Sequence, residues 1–221
     1  MLYNVYMGNI IKKTNEILGR EIFGVLLFQF VGMLMSFAYA VFNGALGLTQ
    51  KSYWYFTMGG YFLALSDVKG EAFFLRRNGE ERFGSASLKR SGIMMILLAV
   101  TVSGIIVLEI CEKRNPVKDM RIMIAIAAYT FVTLAVAVAG HFRAKRGGTV
   151  SDILLRSASL AAAIGSMLSL ERGMLGTFGD PADSFTLVME AATGMAAFLS
   201  ILALGLYLVF HGKRQTKSKA S

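Results

Sequence analysis

Cysteine is almost missing from this chain of 221 residues, with Cys111 the single example. One thiol can neither close an internal disulfide nor supply a cysteine-based zinc site. Proline is nearly as scarce, at two. Charge is thin as well: Asp, Glu, Lys and Arg make up 17% of the residues, where a soluble domain carries about 25%. Both histidines, His141 and His211, stand at the ends of apolar runs, where they read as caps reaching for the interface; no carboxylate spacing completes a metal site around them. There is no P-loop, no Gly-x-Ser-x-Gly elbow and no His-Glu-x-x-His. Proteolysis within a membrane would need a Ser with a His or Lys at matching depth, and the two His lie at the edge. The chain is therefore read as not an enzyme, with no catalytic residue, no metal and no cofactor.

What is present is apolar sequence, 55% of the chain, in long runs free of charge. That is the profile of a multi-pass membrane protein whose first partner is the lipid bilayer. The expected fold is all-α, a polytopic membrane helix bundle with six transmembrane helices. The spans fall at 22–42, 53–75, 91–110, 121–140, 150–170 and 185–210, making 22–210 the transmembrane domain. Residues 1–21 mix apolar side chains with Lys12, Lys13, Glu16 and Arg20. They read as an amphipathic cytoplasmic segment on the membrane surface, or as an extension of the first span, and they lack the unbroken apolar core of a cleavable signal peptide. Residues 211–221 form a basic cytoplasmic tail. Asn43-Gly44 is expected to turn after span one. Span two either stops at Ser66 or continues through Asp67, Lys69 and Glu71; the return of Ala72-Phe73-Phe74-Leu75 favours the longer helix. Lys69 is expected to snorkel toward the headgroups.

The formal charge of +9 raises nucleic acid as a partner, but the basic residues sit between apolar runs, where they set topology. Nucleic-acid binding is not expected. Sixteen of the 23 Lys and Arg residues fall on the side that holds both termini, against six on the other. By the positive-inside rule both termini are then cytoplasmic and the protein is integral to the cell membrane.

The fifth span is the informative one. On a helix, Asp152, Arg156, Ser159, Ala163 and Ser166 fall within an arc of roughly 80°. Leu154, Leu155, Leu160, Ile164, Met167 and Leu168 cover most of the remainder. A charge facing lipid costs about 2.5–3.5 kcal/mol or more, so the polar edge should turn toward other helices. Arg156 is about 9 Å deep and Asp67 about 12 Å deep from the same surface, so Arg156 is expected to meet Asp67, Asp152 or both. Such a pair either fixes helix register or gates a path. Glu190, about 8 Å below the outer surface, shares a small polar face with Thr193, Gly194 and Ala197. With Glu109, Glu171, Asp180 and Asp183 it makes the outer side acidic, which suits a cation or proton coupling. Glu190 alternatively pairs with Arg172. Glu190, Arg156, Asp67, Ser159 and Ser166 are the candidate substrate or ion path.

Three stretches carry a resemblance: Ser52-Tyr53-Trp54-Tyr55 through Leu63, Ala127-Ala128-Tyr129-Thr130-Phe131, and the run from Ser159 to Glu171. Together they resemble a group of six-span integral membrane proteins, without assigned activity, common in Gram-positive anaerobes. The resemblance covers most of the chain from the first span onward and is most specific around the fifth. It implies an integral membrane protein and no more. The chain departs from the group at Asp67-Val68-Lys69, where the group has an apolar or basic patch. Two functions are carried forward. One is a small transporter or permease-like protein for a small cation or a proton-coupled solute. The other is a non-transporting membrane subunit or scaffold, binding a second copy or a membrane partner protein through its cytoplasmic loops.

Overall fold

The computed structural model describes the backbone of residues 2–78, 84–111, 120–143, 149–178 and 184–220, with side chains for 24, 26–78, 84–104, 106–107, 121–139, 149–175, 185 and 188–214. It is all-helical: α1 (Leu2–Gln50), α2 (Tyr53–Asn78), α3 (Gly84–Cys111), α4 (Met120–Arg143), α5 (Val150–Phe178) and α6 (Ser184–Ala220). Five of these, all but α2, hold stretches long and apolar enough to cross a membrane. Their outward faces carry large apolar side chains such as Phe37, Val41, Ile93, Phe131 and Leu199, which suits contact with acyl chains. Glu109, His141, Asp180 and Asp183 lie outside the residues described in full.

α1 is unbroken over 49 residues, so the charged opening segment continues the first apolar stretch as one helix, the second of the two arrangements the sequence allowed. The turn expected at Asn43-Gly44 does not occur. Asn43 is buried within the helix and satisfies its amide by donating from Nδ2 to the Tyr39 carbonyl at 2.9 Å. Gly44 instead lets α2 approach: a Cβ on Gly59 would stand 3.0 Å from the Gly44 nitrogen. The chain actually reverses at Lys51, whose φ of 51° is left-handed, and the Ser52 N–H closes the helix end by donating to the Gly47 carbonyl at 3.1 Å.

α2 is one helix through Asp67, Lys69 and Glu71, as the longer reading had it. It runs antiparallel along α1, from Phe56 beside Gly47 to Phe73 against Phe30. α3 begins seven residues before the expected span, because 84–90 is covered by neighbours: Gly84 meets Val150, and Leu88 is fully buried against Gly212 of α6. Further along, Gly92 and Gly205 bring the α3 and α6 backbones into contact, each glycine's missing Cβ falling 3.0–3.1 Å from the other's carbonyl oxygen.

α2 and α5 form the middle of the bundle, with α1 against α2, α4 against α5, and α6 against both α3 and α5. Thr149 caps α5. Its hydroxyl accepts from the Asp152 N–H at 3.3 Å and donates to the Asp152 carboxylate at 2.6 Å. Among the described residues of α5 only Leu160, Met167 and Met174, one every seventh residue, are well exposed. Its polar edge is turned inward, as expected: Ser159, Ala163 and Ser166 are buried, and Asp152 and Arg156 half-buried at the start of the helix. The greasy remainder is divided: Leu154 and Leu168 are buried, Leu155 and Ile164 half-buried, and Leu160 and Met167 exposed. At the α1–α4–α2 junction Tyr39 stacks on Tyr129 with centroids 3.6 Å apart, and Phe62 meets both rings edge-on.

Candidate functional site

The polar side chains collect at three levels along the bundle. At the end where α2 finishes and α5 starts, charges are paired between helices. Arg76 donates to Asp152 at 2.8 Å, both side chains about one quarter exposed. Arg90 approaches Asp67 at 3.6 Å on the outer surface, and Ser91 donates to Glu71 at 2.7 Å. Asp152 and Asp67 thus take Arg76 and Arg90 as partners. The expected meeting of Arg156 with either carboxylate is corrected accordingly: Arg156 stands half-buried on α5, while Asp67 is 55% exposed on the rim of α2 and α3.

The reason lies in which face of α2 turns inward. Asp67 and Glu71 share one face, and Lys69 points nearly the opposite way. The interior took the Lys69 face. Lys69 is 4% exposed, with Nζ donating to Ser36 Oγ at 2.7 Å and reaching the Gly32 carbonyl at 3.4 Å, so it does not snorkel. The series Met58, Phe62, Leu65, Lys69, Ala72 is one helical core stripe. That spacing could have been read from the sequence, had the ammonium not discouraged it.

The middle level is sealed. Thr133 and Ser166 share a hydrogen bond at 2.8 Å, Ser166 also donates to the Ala163 carbonyl at 2.9 Å, and Thr130 donates to the Ser166 carbonyl at 3.0 Å. These bonds fasten α4 to α5. Tyr61 donates to the Ala161 carbonyl at 2.7 Å, fastening α2 to α5. Back at the first level, where α5 starts, Gln29, the one strongly polar residue of the first span, donates to Ser151, which donates to the Ala72 carbonyl, so three helices meet at one short chain. Ser166 is therefore a clasp between helices. Ser159 is buried apart from it, bordering a small hole beside Lys69.

At the opposite end α5 and α6 stand apart. Between them is an apolar groove of ≈ 580 Å³, walled by Met167, Leu168, Met174, Met189 and Ala196 among others, with Glu171, Thr193 and Ser200 as its polar residues. Thr193 donates to Glu171 at 2.9 Å, but its hydroxyl also lies within reach of the Met189 and Glu190 carbonyls. One hydroxyl proton cannot serve three acceptors, so the carboxylate keeps capacity for a further donor. Glu190 is beside Glu171 but only 2% exposed, and it does not line the groove. Arg172, the next residue on α5, sets its guanidinium 4.9 Å from the centre of the buried Trp54 ring. Sequence reasoning placed Glu171 on the acidic outer side but chose Glu190 for the path. Gly194, on the Glu190 side of α6, packs against Ile106 of α3, which shows why that side is closed. Among the described residues no group of three His, Cys, Asp or Glu could hold a metal ion.

Set against models of known families, against curated proteins and against solved structures, the chain finds no match.

Proposed function

We propose that this is a permease-like integral membrane protein that takes up a small, largely apolar cation in the α5–α6 groove. The observation that carries the reading is the groove itself: ≈ 580 Å³ of mostly apolar wall with a half-buried carboxylate, Glu171, at its edge. Pockets of about 300–1,000 Å³ with few, well-placed polar groups are the usual form of a small-molecule site. A carboxylate in such a wall selects positive charge, while the Met and Leu lining accepts varied apolar shapes. Glu171 replaces Glu190 as the contacting acid.

In this reading all six helices span. α2 accompanies the apolar stretch of α1 along its length, so it crosses the same thickness despite Asp67, Lys69 and Glu71. Six crossings put both termini on one face, and the excess of Lys and Arg there assigns that face to the cytoplasm of the cell membrane. The second reading, a non-transporting subunit or scaffold, has its own support in the Ser166–Thr133 clasp, which closes the middle of the bundle.

Binding of tetraphenylphosphonium to the purified protein, followed by its flux into proteoliposomes, tests the choice. Transport predicts saturable binding and flux, with Glu171→Gln weakening binding at least tenfold. Binding without flux would move the protein to the subunit reading. Equal binding by wild type and Glu171→Gln would remove the groove from the function.

A further inference from the structure

A second cavity lies on the other flank of the bundle. It is a hole of ≈ 80 Å³ between α1, α2, α4 and α5, bordered by Lys69, Ser36, Tyr129 and Ser159. A single water needs roughly 10–15 Å³, so the space holds several waters or one small ion. It is set apart from the groove between α5 and α6, and no residue lines both.

The chemistry of its walls is one-sided. Lys69 Nζ carries three protons and has two partners, Ser36 Oγ and the Gly32 carbonyl. Ser36 Oγ accepts from that ammonium, which leaves its own proton available. Ser159 is buried and its hydroxyl makes no hydrogen bond among the described residues. The Tyr129 hydroxyl is sealed from solvent and lies beside Ser36, close enough for one of the two hydroxyls to donate to the other. Lys69, Ser159 and the Ser36–Tyr129 pair thus bring at least three donors to one small space whose lining holds no carboxylate. The acids on the same helix are engaged elsewhere, Asp67 with Arg90 and Glu71 with Ser91. A buried cation without a counter-charge among the described residues is among the more costly arrangements in a membrane interior, and a bound anion would relieve that cost.

We infer that Lys69, Ser36, Ser159 and Tyr129 bind a small monovalent anion of carboxylate size in the hole between α1 and α4. The approach indicates how it arrives. α1 and α4 meet at the Tyr39–Tyr129 stack, and beside it the rim of the hole is formed by Val31, Met35 and Val132, all exposed on the flank of the bundle. That rim is apolar and lies part-way along both helices. It admits a carboxylate carried on an acyl chain from the bilayer side as readily as a free ion.

Equilibrium dialysis of the purified, delipidated protein with radiolabelled laurate, dodecanol and acetate tests the site and separates the two sources. Laurate should bind at least tenfold more tightly than dodecanol. Lys69→Met should abolish that preference, and Ser159→Ala, which removes one donor with little change in volume, should weaken laurate several-fold. Acetate that binds as tightly as laurate, with the same loss in Lys69→Met, assigns the site to free anions; acetate that fails assigns it to acyl carboxylates. Equal binding of laurate and dodecanol, together with no acetate binding, would overturn the proposal. So would laurate binding unchanged in both variants. Should Lys69→Met not fold, Ser159→Ala decides alone.

Discussion

α6 presents two faces to the bundle, and they behave in opposite ways. Toward α3 it offers Gly205, which meets Gly92 so closely that the two backbones touch. Toward α5 it offers Met189, Thr193, Ala196 and Ser200, and the helices stand off to leave the groove. Without a hydrophobic driving force between helices in lipid, close approach of small residues is what holds helices together. The same helix is therefore anchored on one side and loosely packed on the other.

Substitution on the two faces should separate these roles. Gly92→Leu is expected to have the largest effect: its first added carbon would fall 2.7 Å from a Val209 side-chain carbon and 2.9 Å from the Val209 nitrogen, and backbone cannot give way. A cost of about 3 kcal/mol or more follows, seen as loss of folded protein in detergent thermal unfolding. Ser200→Leu, in the groove, should leave the melting temperature unchanged yet reduce tetraphenylphosphonium binding by filling the wall. Destabilisation by both substitutions to the same degree would show that α6 has no free face. An intermediate effect is expected from Arg76→Ala, which leaves Asp152 half-buried beside its Thr149 cap without its cation, at about 1–3 kcal/mol. Arg90→Ala should have the smallest effect, within about 0.5 kcal/mol, because the Arg90–Asp67 pair is more than half exposed and 3.6 Å long. The ratio of those last two, measured in one unfolding assay, checks that burial and not charge alone sets the value of an ion pair here.

Most of the helices could be read from apolar run length, and the boundaries failed where neighbours intervened. The segment 84–90 falls between the expected spans at 53–75 and 91–110, and its Lys89 and Arg90 suit a polar loop; Ser87 and Leu88 make it helical by burying against the rest of the bundle. Asn43-Gly44 looked like a turn because those residues prefer turns, yet an amide that bonds its own helix and a glycine under α2 suit a helix interior just as well. For the site, the inward polar edge of α5 was legible since a period of 3.6 places its members together. The partners were not, because depth restricts which groups can meet without choosing among Arg76, Arg90 and Arg156.

From the sequence alone follow an all-helical chain, long apolar stretches and a fifth helix that hides its polar edge, because each depends on local periodicity and the cost of charge in hydrocarbon. Which face of α2 turns inward, Lys69 or Asp67 with Glu71, was decided only when α1 supplied Ser36 and a carbonyl on one side and α3 supplied Arg90 and Ser91 on the other. The two orientations of that helix differ in their neighbours and not in their own sequence, so only the assembled bundle could distinguish them.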